Sequence, residues 1–291
     1  METRGDRHVM IERNNNTMDE EAARSKKKNV VFQLKKLDSL FVAFSGGVDS
    51  TFLLALAHES LGEKVVAVTA SSIIHPARER EDATEFVREK GIRHIVFNSG
   101  EMSLPEFVSN GADRCYHCKR HLLQSLFKIA RENGSKNVAH GANVDDLKDY
   151  RPGFRAADEA GVMAPLVDAQ LSKEEIRFLS KEMGLSTWDE PPMSCLASRI
   201  PYGSRITEEK LRMVEEAEAF LLEQGFKEVR VRHHGSVARI EVGSAQQSDI
   251  MGEGLRKAIV DKLREVGFDH IAVDLEGYIS GKMNRALGRS P

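Results

Sequence analysis

The chain has 291 residues, of which 41% are hydrophobic and 30% are charged, with a formal net charge of −3 and a pI of about 6.4. This composition is ordinary for a globular protein of two domains, and it argues against a global basic field that would hold a nucleic acid. No run approaches the roughly 18 apolar residues of a membrane helix, and the N-terminus has no apolar signal core. We therefore expect a cytoplasmic protein that uses neither a membrane nor a nucleic-acid partner.

In chain order, residues 1–28 are polar and charged, and we predict a mobile N-terminal tail that runs into a first helix. From residue 29, short apolar runs alternate with amphipathic segments. The predicted strands are Leu40–Phe44, Val65–Thr69, His94–Phe97 and Asn137–His140. The predicted helices are Thr51–His58, Ala77–Lys90, Cys118–Glu132 and one that Ser172 opens with Glu175 as a capping box. Strands that alternate with helices predict a parallel sheet of right-handed βαβ units.

A different pattern follows the turn Pro201-Tyr202-Gly203. Two helices, Thr207–Gln224 and Ile250–Val266, accompany the strands Glu228–Arg232, Val237–Val242 and His270–Asp274. The first two of these strands alternate like a hairpin around His234-Gly235. We therefore predict an α/β fold with a parallel-sheet domain at residues 29–204 and a smaller C-terminal α+β domain at 205–291, for substrate binding or oligomerisation.

The hexapeptide SGGVDS at residues 45–50 directly follows the first predicted strand and opens a helix. Glycines there allow close backbone approach, and the N–H groups of a helix N-terminus bind anionic oxygens. Ser45 and Ser50 add hydroxyl groups, and Asp49 suits a Mg²⁺ that bridges phosphates. The lysine of a Walker loop and the spacing of a Rossmann loop are absent. The hexapeptide resembles the PP-loop ATPases, which cleave ATP between the α and β phosphates; this implies activation of a substrate as an adenylate.

Three cysteines form a second candidate centre: Cys115 and Cys118 as a CxxC at the start of a helix, and Cys195 after the turn at Pro191-Pro192. In a reducing compartment such a pair indicates metal binding or redox activity. Three thiolates suit a [4Fe–4S] cluster with one open iron. Three unrelated thiols remain the alternative.

The residues next to the cysteines are compatible with more than one metal, and they suggest that the thiols are reactive. Addition of His117 or His121 to the three thiols would suit Zn²⁺ instead. We expect the adjacent Lys119, Arg120 and Arg199 to lower the pKa of the thiols.

Several segments together are similar to the LarE family, the ATP-dependent sulfur insertases of nickel-pincer nucleotide synthesis. They are FSGGVDSTFL at 44–53, TASS at 69–72, RCYHCK at 114–119, GANVDD at 141–146 with DYRPG at 149–153, and SCLASRIPYG at 194–203. The resemblance covers about residues 29–280. It implies that the carboxylates of pyridinium-3,5-biscarboxylic acid mononucleotide become thiocarboxylates, and it suggests a homo-oligomer and a downstream nickel-inserting enzyme.

The family implies two styles of sulfur donation. One style sacrifices a single cysteine, here Cys195, which attacks the adenylate and becomes dehydroalanine. The other holds a [4Fe–4S] cluster on three cysteines and turns over repeatedly. The CxxC at Cys115 and Cys118 favours the second style.

The resemblance also implies roles for single residues. Those expected to hold ATP and Mg²⁺ are Ser45, Gly46, Gly47, Asp49 and Ser50. Those expected near the adenosine or at the same sheet edge are Thr69, Ala70, Ser71, Gly141, Asn143 and Asp145. Ligands bind at the carboxyl ends of parallel strands, which agrees with these positions. The alternative for Asp145 and Asp146 is a plain loop.

Arginines are the candidate clamps for the phosphate and carboxylates of the substrate, because the guanidinium fork fits both groups. The candidates are Arg199, Arg230 and Arg232. Arg230 and Arg232 alternate along one predicted strand and should share a face, with a solvated face as the alternative. Glu241 and Asp249 complete this predicted pocket.

Three other classes of function share some of these features. A tRNA thiolase also joins a PP-loop to cysteines, but residues 205–291 lack an aromatic and basic surface pattern. A PP-loop synthetase that forms amides would not need the cysteines. A non-catalytic nucleotide or iron sensor would not release AMP and pyrophosphate.

Overall fold

A computed structural model of the protein describes residues 18–148 and 152–288. Its first sheet has four parallel strands in the spatial order β3-β2-β1-β4. The strands are β1 (Leu40–Ala43), β2 (Val65–Ser71), β3 (Arg93–Asn98) and β4 (Val138–His140). The predicted α/β fold with a parallel sheet is confirmed, and β1 is buried among its neighbours because its residues are apolar.

Eight helices of the described residues accompany this sheet. They are α1 (Glu20–Leu34), α2 (Val48–Leu61), α3 (Ala77–Glu89), α4 (Pro105–Val108), α5 (Arg114–Glu132), α6 (Pro152–Glu159), α7 (Pro165–Asp168) and α8 (Lys173–Glu182). The central α2 is buried along most of its length and packs into the largest apolar core. Its position brings its N-terminus to the carboxyl end of β1.

The predicted tail is wrong for residues 20–28, which belong to α1. Asp19 caps this helix by accepting a hydrogen bond from the backbone N–H of Ala22, and Ala23 is buried. Lys26 forms an ion pair of 2.6 Å with Glu175, so the helix is anchored on α8. Residues 1–17 of the predicted tail lie outside the described residues, as do residues 149–151 of the DYRPG segment.

A second sheet has three strands in the order β5-β6-β7. They are β5 (Val229–His234), β6 (Val237–Val242) and β7 (His270–Val273), with the helices α9 (Glu208–Glu223) and α10 (Glu253–Val266). The hairpin is confirmed, since β5 and β6 pair antiparallel, whereas β6 and β7 pair parallel across α10. Thr207 caps α9 by accepting from the N–H of Lys210 at 3.3 Å.

A membrane-crossing helix, which would need greater length and more apolar residues, does not occur in the part of the chain that the structure describes.

Candidate active site

The SGGVDS loop joins β1 to α2, with Gly47 as an extended N-cap that has no side-chain hydrogen bond. The N–H groups of the first turn therefore have no side-chain cap and are available to an anion. Gly46 has a φ of 86°, and a Cβ there would lie 3.0 Å from Cβ of Ala83. Both its backbone conformation and its contact with α3 require glycine at this position.

Hydrogen bonds from side-chain hydroxyl groups stabilise the conformation of the loop. Ser50 Oγ donates to the carbonyl of Gly47 at 3.0 Å and lies 3.1 Å from Oγ of Ser45. Thr51 Oγ1 donates to the carbonyl of Gly46 at 3.0 Å. The loop is thus preorganised for its charged ligand.

A lysine that sequence reasoning missed reaches this loop from α8. Lys173 Nζ lies 2.8 Å from Asp49 Oδ2, although 124 residues separate the two in sequence. Burial raises the pKa of Asp49, while the charge of Lys173 opposes the shift. Asp49 Oδ1 is buried without a hydrogen-bond partner among the described residues, which fits a metal ligand. The capping box at Ser172 was the available signal, since it places Lys173 at the first position of α8.

Residues after β4 support the loop and the lysine. A Cβ on Gly141 would lie 2.7 Å from the backbone nitrogen of Ser50, so only glycine allows this approach. Asn143 Oδ1 accepts from the N–H of Asp145 at 2.9 Å, and Asp145 Oδ2 accepts from the N–H of Lys173 at 2.8 Å. These predicted site residues therefore lie at the same edge as the loop, in a bonded network.

The residues predicted to meet adenosine lie at the carboxyl end of β2. Thr69 and Ser71 line a cavity of about 450 Å³ between this strand and α3. Thr69 Oγ1 donates to the carbonyl of Phe44 at 2.9 Å, and Arg80 Nη1 donates to Ser71 Oγ at 2.9 Å. Ala70, which lies between Thr69 and Ser71 in β2, pairs with Phe97 of β3.

The segment of residues 192–199 brings the cysteines next to the phosphate loop. A Cβ on Gly47 would lie 3.0 Å from Sδ of Met193, two residues before Cys195. Cys195 and Cys118 both pack against the apolar cluster that contains Ile74. The phosphate loop therefore adjoins the segment that carries Cys195.

The expected lowering of the thiol pKa is wrong for two of the cysteines. Burial raises the pKa of Cys118, and the nearby Cys195 and Glu101 raise it further, whereas Lys119 is a weaker opposing influence. Cys115 is exposed as a residue, yet desolvation raises the pKa of its thiol and the charge of Cys195 adds to this. The low dielectric around these thiols raises their pKa more than the basic neighbours lower it. The extent of burial cannot be read from the sequence alone.

The three thiols are near enough to influence one another, and none forms a disulfide. Within residues 18–148 and 152–288, no three His, Cys, Asp or Glu side chains converge on a point that would hold one metal ion. A [4Fe–4S] cluster takes one thiolate per iron and so accepts ligands that are spread more widely. His121 Nε2 is 2.7 Å from the carbonyl of Ser99, and His117 Nε2 is 3.0 Å from Asp113. Both candidate zinc histidines therefore have other contacts.

Two of the three predicted arginine clamps are already paired. Arg199 forms a bidentate ion pair with Glu218, from Nε to Oε1 at 2.9 Å and from Nη2 to Oε2 at 2.8 Å, and both side chains are buried. Arg232 donates from Nε and Nη2 to a single oxygen of Glu241, Oε2, at 3.0 and 2.6 Å. Such pairs fix structure, because removal of either partner leaves a buried charge.

Arg230 differs from the other two. Its Nη2 donates to the carbonyl of Pro192 at 2.7 Å, and its guanidinium lies 4.9 Å from the ring centre of Tyr278. It is 9% exposed and has no carboxylate ion pair within the described residues. Arg232 Nη1 reaches the carbonyl of Ser198, so both arginines face the cysteine segment, as the alternation predicted. The solvated-face alternative is wrong.

The two predicted acidic members of this pocket lie apart. Glu241 is fully buried and pairs with Arg232 and Arg239. Asp249 is exposed on a 3₁₀ turn, where Ser248 Oγ donates to it at 3.4 Å. The structure does not bring Asp249 to the arginines.

Glu79, which sequence reasoning missed, lies beside the phosphate loop. Its backbone oxygen lies 3.4 Å from the Cβ that Gly46 would carry. Its carboxyl forms no hydrogen bond or ion pair in the described residues, and burial raises its pKa to about 7 against the charges of Arg199 and Arg230. No sequence motif marked this residue, because its surroundings come from three distant segments.

Several known proteins are similar to this chain over part or most of its length. Residues 18–133 match the family described as a PP-loop domain. The chain is 36% identical to the pyridinium-3,5-bisthiocarboxylic acid mononucleotide synthase of Lactiplantibacillus plantarum over 91% of this chain and 96% of that protein. It is 41% identical to an uncharacterized protein of Synechocystis over 90% of this chain and 98% of that one. The glutamine-hydrolyzing GMP synthase of Aeropyrum pernix is 28% identical over 64% of this chain and 40% of that protein.

Proposed function

The chain belongs to the LarE family of ATP-dependent sulfurtransferases, and we propose that it converts pyridinium-3,5-biscarboxylic acid mononucleotide into the bisthiocarboxylic form. The observation that carries this proposal is the contact between Gly47 of the phosphate loop and Met193 of the segment that holds Cys195. ATP activation and sulfur delivery would then take place in one cleft.

In the first half-reaction, a carboxylate oxygen of the substrate attacks the α-phosphorus of ATP. The new O–P bond forms as the bond to the β-phosphate oxygen breaks, and pyrophosphate leaves. The uncapped N–H groups of α2 and the ammonium of Lys173 stabilise the phosphate charge. Asp49 would hold Mg²⁺, which supplies further neutralisation of the phosphates.

Arg230 positions the anionic substrate. It is the buried guanidinium among the three candidates that lacks a carboxylate partner in the described residues, so its charge is available to a substrate phosphate or carboxylate. Arg199 and Arg232 instead hold the cysteine segment through the carbonyls of Ser194 and Ser198. Thr69 and Ser71 line the cavity beside β2, which we assign to the adenosine.

In the second half-reaction, a sulfur nucleophile attacks the acyl carbon of the adenylate, and AMP leaves. Cys115, Cys118 and Cys195 would hold a [4Fe–4S] cluster, which supplies a site for sulfur delivery when bound. The apolar residues packed against Cys118 and Cys195 would limit the access of water, which would otherwise hydrolyse the adenylate. Sacrifice of Cys195 is the competing form of the same function.

Three finer assignments belong to the same proposal. Free thiols suit the reducing cytoplasm. The protein acts as a homo-oligomer, with residues 205–291 as a separate domain that contributes to assembly. The product passes to an enzyme that inserts nickel.

Incubation of the anaerobically purified protein with ATP, Mg²⁺ and the mononucleotide tests the proposal. We expect AMP, pyrophosphate and a thiocarboxylate product by mass spectrometry, all dependent on the mononucleotide. AMP formation that depends instead on added tRNA would support a tRNA thiolase. Amide formation with ammonia, without use of the cysteines, would support a synthetase.

A further inference from the structure

A fully buried asparagine joins the two segments that carry the cysteines. Asn110 is 0% exposed and lies in the loop between α4 and α5, four residues before Arg114, where α5 begins. Its φ is 61°, a left-handed conformation that asparagine tolerates better than most residues do. A buried polar side chain on such a backbone must have its hydrogen bonds satisfied nearby, and its partners show which segments it holds.

The amide nitrogen of Asn110 binds the turn at residues 200–204, which follows Cys195 closely in the chain. Its Nδ2 donates to three backbone carbonyls of this turn. They are those of Ile200 at 3.2 Å, Pro201 at 2.8 Å and Ser204 at 2.7 Å. The backbone carbonyl of Asn110 accepts from the N–H of Gly203 at 3.0 Å. The conformation of the turn therefore depends on this one residue, which satisfies polar groups that no regular ladder reaches.

The amide oxygen of Asn110 binds the start of α5. Arg114 Nη1 donates to Asn110 Oδ1, and because an arginine can only donate, the amide nitrogen must face the carbonyls of the turn. Arg114 is 2% exposed, and its guanidinium lies 4.7 Å from the ring centre of Tyr202 in the same turn. It directly precedes Cys115: burial raises the pKa of that thiol, and the charge of Arg114 opposes the rise.

The two segments also meet through apolar packing, which has less geometric precision. Phe107 of α4 belongs to the apolar cluster against which Cys118 and Cys195 pack. Apolar attraction is non-directional, whereas hydrogen bonds require defined distances and angles. The polar contacts of Asn110 therefore fix how the turn at 200–204 meets the start of α5. The separation of Cys195 from the CxxC follows from that arrangement.

We propose that Asn110 is a positioning residue for sulfur delivery, which holds Cys195 in place relative to Cys115 and Cys118. This rests on the proposed function, in which sulfur attacks the acyl carbon of the adenylate. The attack needs a defined geometry, so a small displacement of the thiols slows it. Water then attacks the same carbon, AMP leaves and the carboxylate is restored. The role applies to a cluster and to a sacrificed Cys195, because Cys195 takes part in both.

The first test compares the products of wild type, Asn110→Gly and the control Gln170→Gly. Glycine keeps the positive φ and removes only the amide. Gln170 is the matched control, since it also has a positive φ, of 58°, but is exposed. AMP and thiocarboxylate are measured in the same reaction. The ratio of thiocarboxylate to AMP should fall about tenfold or more in Asn110→Gly alone.

Thiol bridging gives a second readout, which needs no substrate. The reduced proteins are treated with dibromobimane, which links two nearby thiols, and the products are mapped by mass spectrometry. Bridges from Cys195 to Cys115 or Cys118, relative to single alkylation, should be about tenfold rarer in Asn110→Gly than in wild type and the control. Should Asn110→Gly fail to fold, Asn110→Asp keeps the bond to Arg114 but loses both N–H donors, and the same two changes are expected.

The outcomes separate this inference from the proposed function. Wild-type ratios of products and of bridging in Asn110→Gly overturn the positioning role. A proportional loss of both products with unchanged bridging also overturns it, because that pattern reports a general loss of folded protein. Wild type that forms neither product with the mononucleotide overturns the proposed function, and fewer bridges in Asn110→Gly would then still support the positioning of the thiols.

Discussion

The phosphate loop and the cysteine pocket, which is the surroundings of Cys118 and Cys195, are neighbours through Gly47 and Met193 but differ in how many of their polar groups have partners. In the loop, the hydroxyls of Ser50 and Thr51 each have a partner, and Asp49 pairs with Lys173 through Oδ2, so that its Oδ1 is the buried atom left without a hydrogen-bond partner in the described residues. In the pocket, Glu101 and Nδ1 of His75 are buried without partners in the described residues.

This difference separates two kinds of binding. A loop that must release pyrophosphate in every turnover needs a stable empty state, and its internal hydrogen bonds provide one. A pocket that leaves a carboxylate unsatisfied is suited to a group that stays bound. Substitutions in the loop should therefore affect ATP chemistry, and those near the cysteines should affect sulfur delivery.

The largest effect is expected at Asp49. Asp49→Ala removes the carboxylate proposed to hold Mg²⁺ and frees Lys173, so pyrophosphate release should fall by about 10²- to 10³-fold or more. The measurement is mononucleotide-dependent pyrophosphate release, with Asp38→Ala, a substitution before β1 and outside the loop, as the control. A folded Asp49→Ala protein that releases pyrophosphate at a near wild-type rate would show that the loop does not take part in the reaction.

Gly141→Ala should disturb the loop through backbone contact alone. The added Cβ would lie 2.7 Å from the nitrogen of Ser50 and must displace the first turn of α2. Misplacement of a binding site by about 1 Å costs on the order of 10²-fold in rate. Gly254→Ala, which meets nothing within 4 Å, should leave the rate of AMP formation unchanged. Equal rates for the two variants would show that the close approach does not matter.

Arg230→Ala should weaken the mononucleotide about 10- to 150-fold while leaving ATP affinity intact, because a charge-assisted contact is lost. Binding is measured separately for each ligand, and exposed Arg212→Ala serves as the control. Arg232→Ala should mainly lower the stability, since it removes a partner from buried Glu241. An equal loss of affinity for ATP and substrate in Arg230→Ala would contradict its assignment.

The smallest effect is expected from Glu79 and depends on pH. Its pKa of about 7 means that the carboxyl is mostly neutral below this pH and becomes anionic above it. Ionised Glu79 would compete with the substrate for Arg230, so substrate affinity should fall by up to about tenfold as pH rises through 7. Glu79→Gln should flatten this dependence, whereas Glu81→Gln should retain it. A wild-type profile in Glu79→Gln would exclude this competition.

The same pKa predicts the direction of the stability change. A carboxyl whose pKa is raised in the folded state stabilises it below the ordinary pKa, and this contribution is lost as pH rises through about 7. The free energy of unfolding of wild type should thus fall between about pH 4.5 and 7 relative to that of Glu79→Gln. Denaturant titrations at several pH values measure the difference.

Local patterns predicted much of the fold. The apolar runs located all four strands of the first sheet, because buried parallel strands are short and apolar. The capping box at Ser172 located the start of α8. The short helices α4, α6 and α7 were not predicted, since four to eight residues carry too little periodicity.

The sequence predicted only those parts of the candidate site that lie in a recognisable motif. The SGGVDS loop and the cysteines were visible in the sequence, but the contact of Lys173 with Asp49 depends on tertiary packing. The buried positions of Glu79 and Glu101 likewise depend on distant segments, and burial reversed the expected pKa shift of Cys118. The pairing of Arg199 with Glu218 could not be read from either residue alone.

The central claim is that adenylation and sulfur delivery are separable and that the cysteines serve only the second. The most direct measurement follows AMP and thiocarboxylate together in Cys115→Ser, Cys118→Ser and Cys195→Ser, with intact mass recorded after turnover. We predict that all three variants still form AMP in the presence of the mononucleotide but form no thiocarboxylate, and that wild type keeps its mass over several turnovers. Loss of thiocarboxylate in Cys195→Ser alone, with a wild-type mass loss of about 34 Da as cysteine becomes dehydroalanine, would contradict the cluster and establish a sacrificial cysteine.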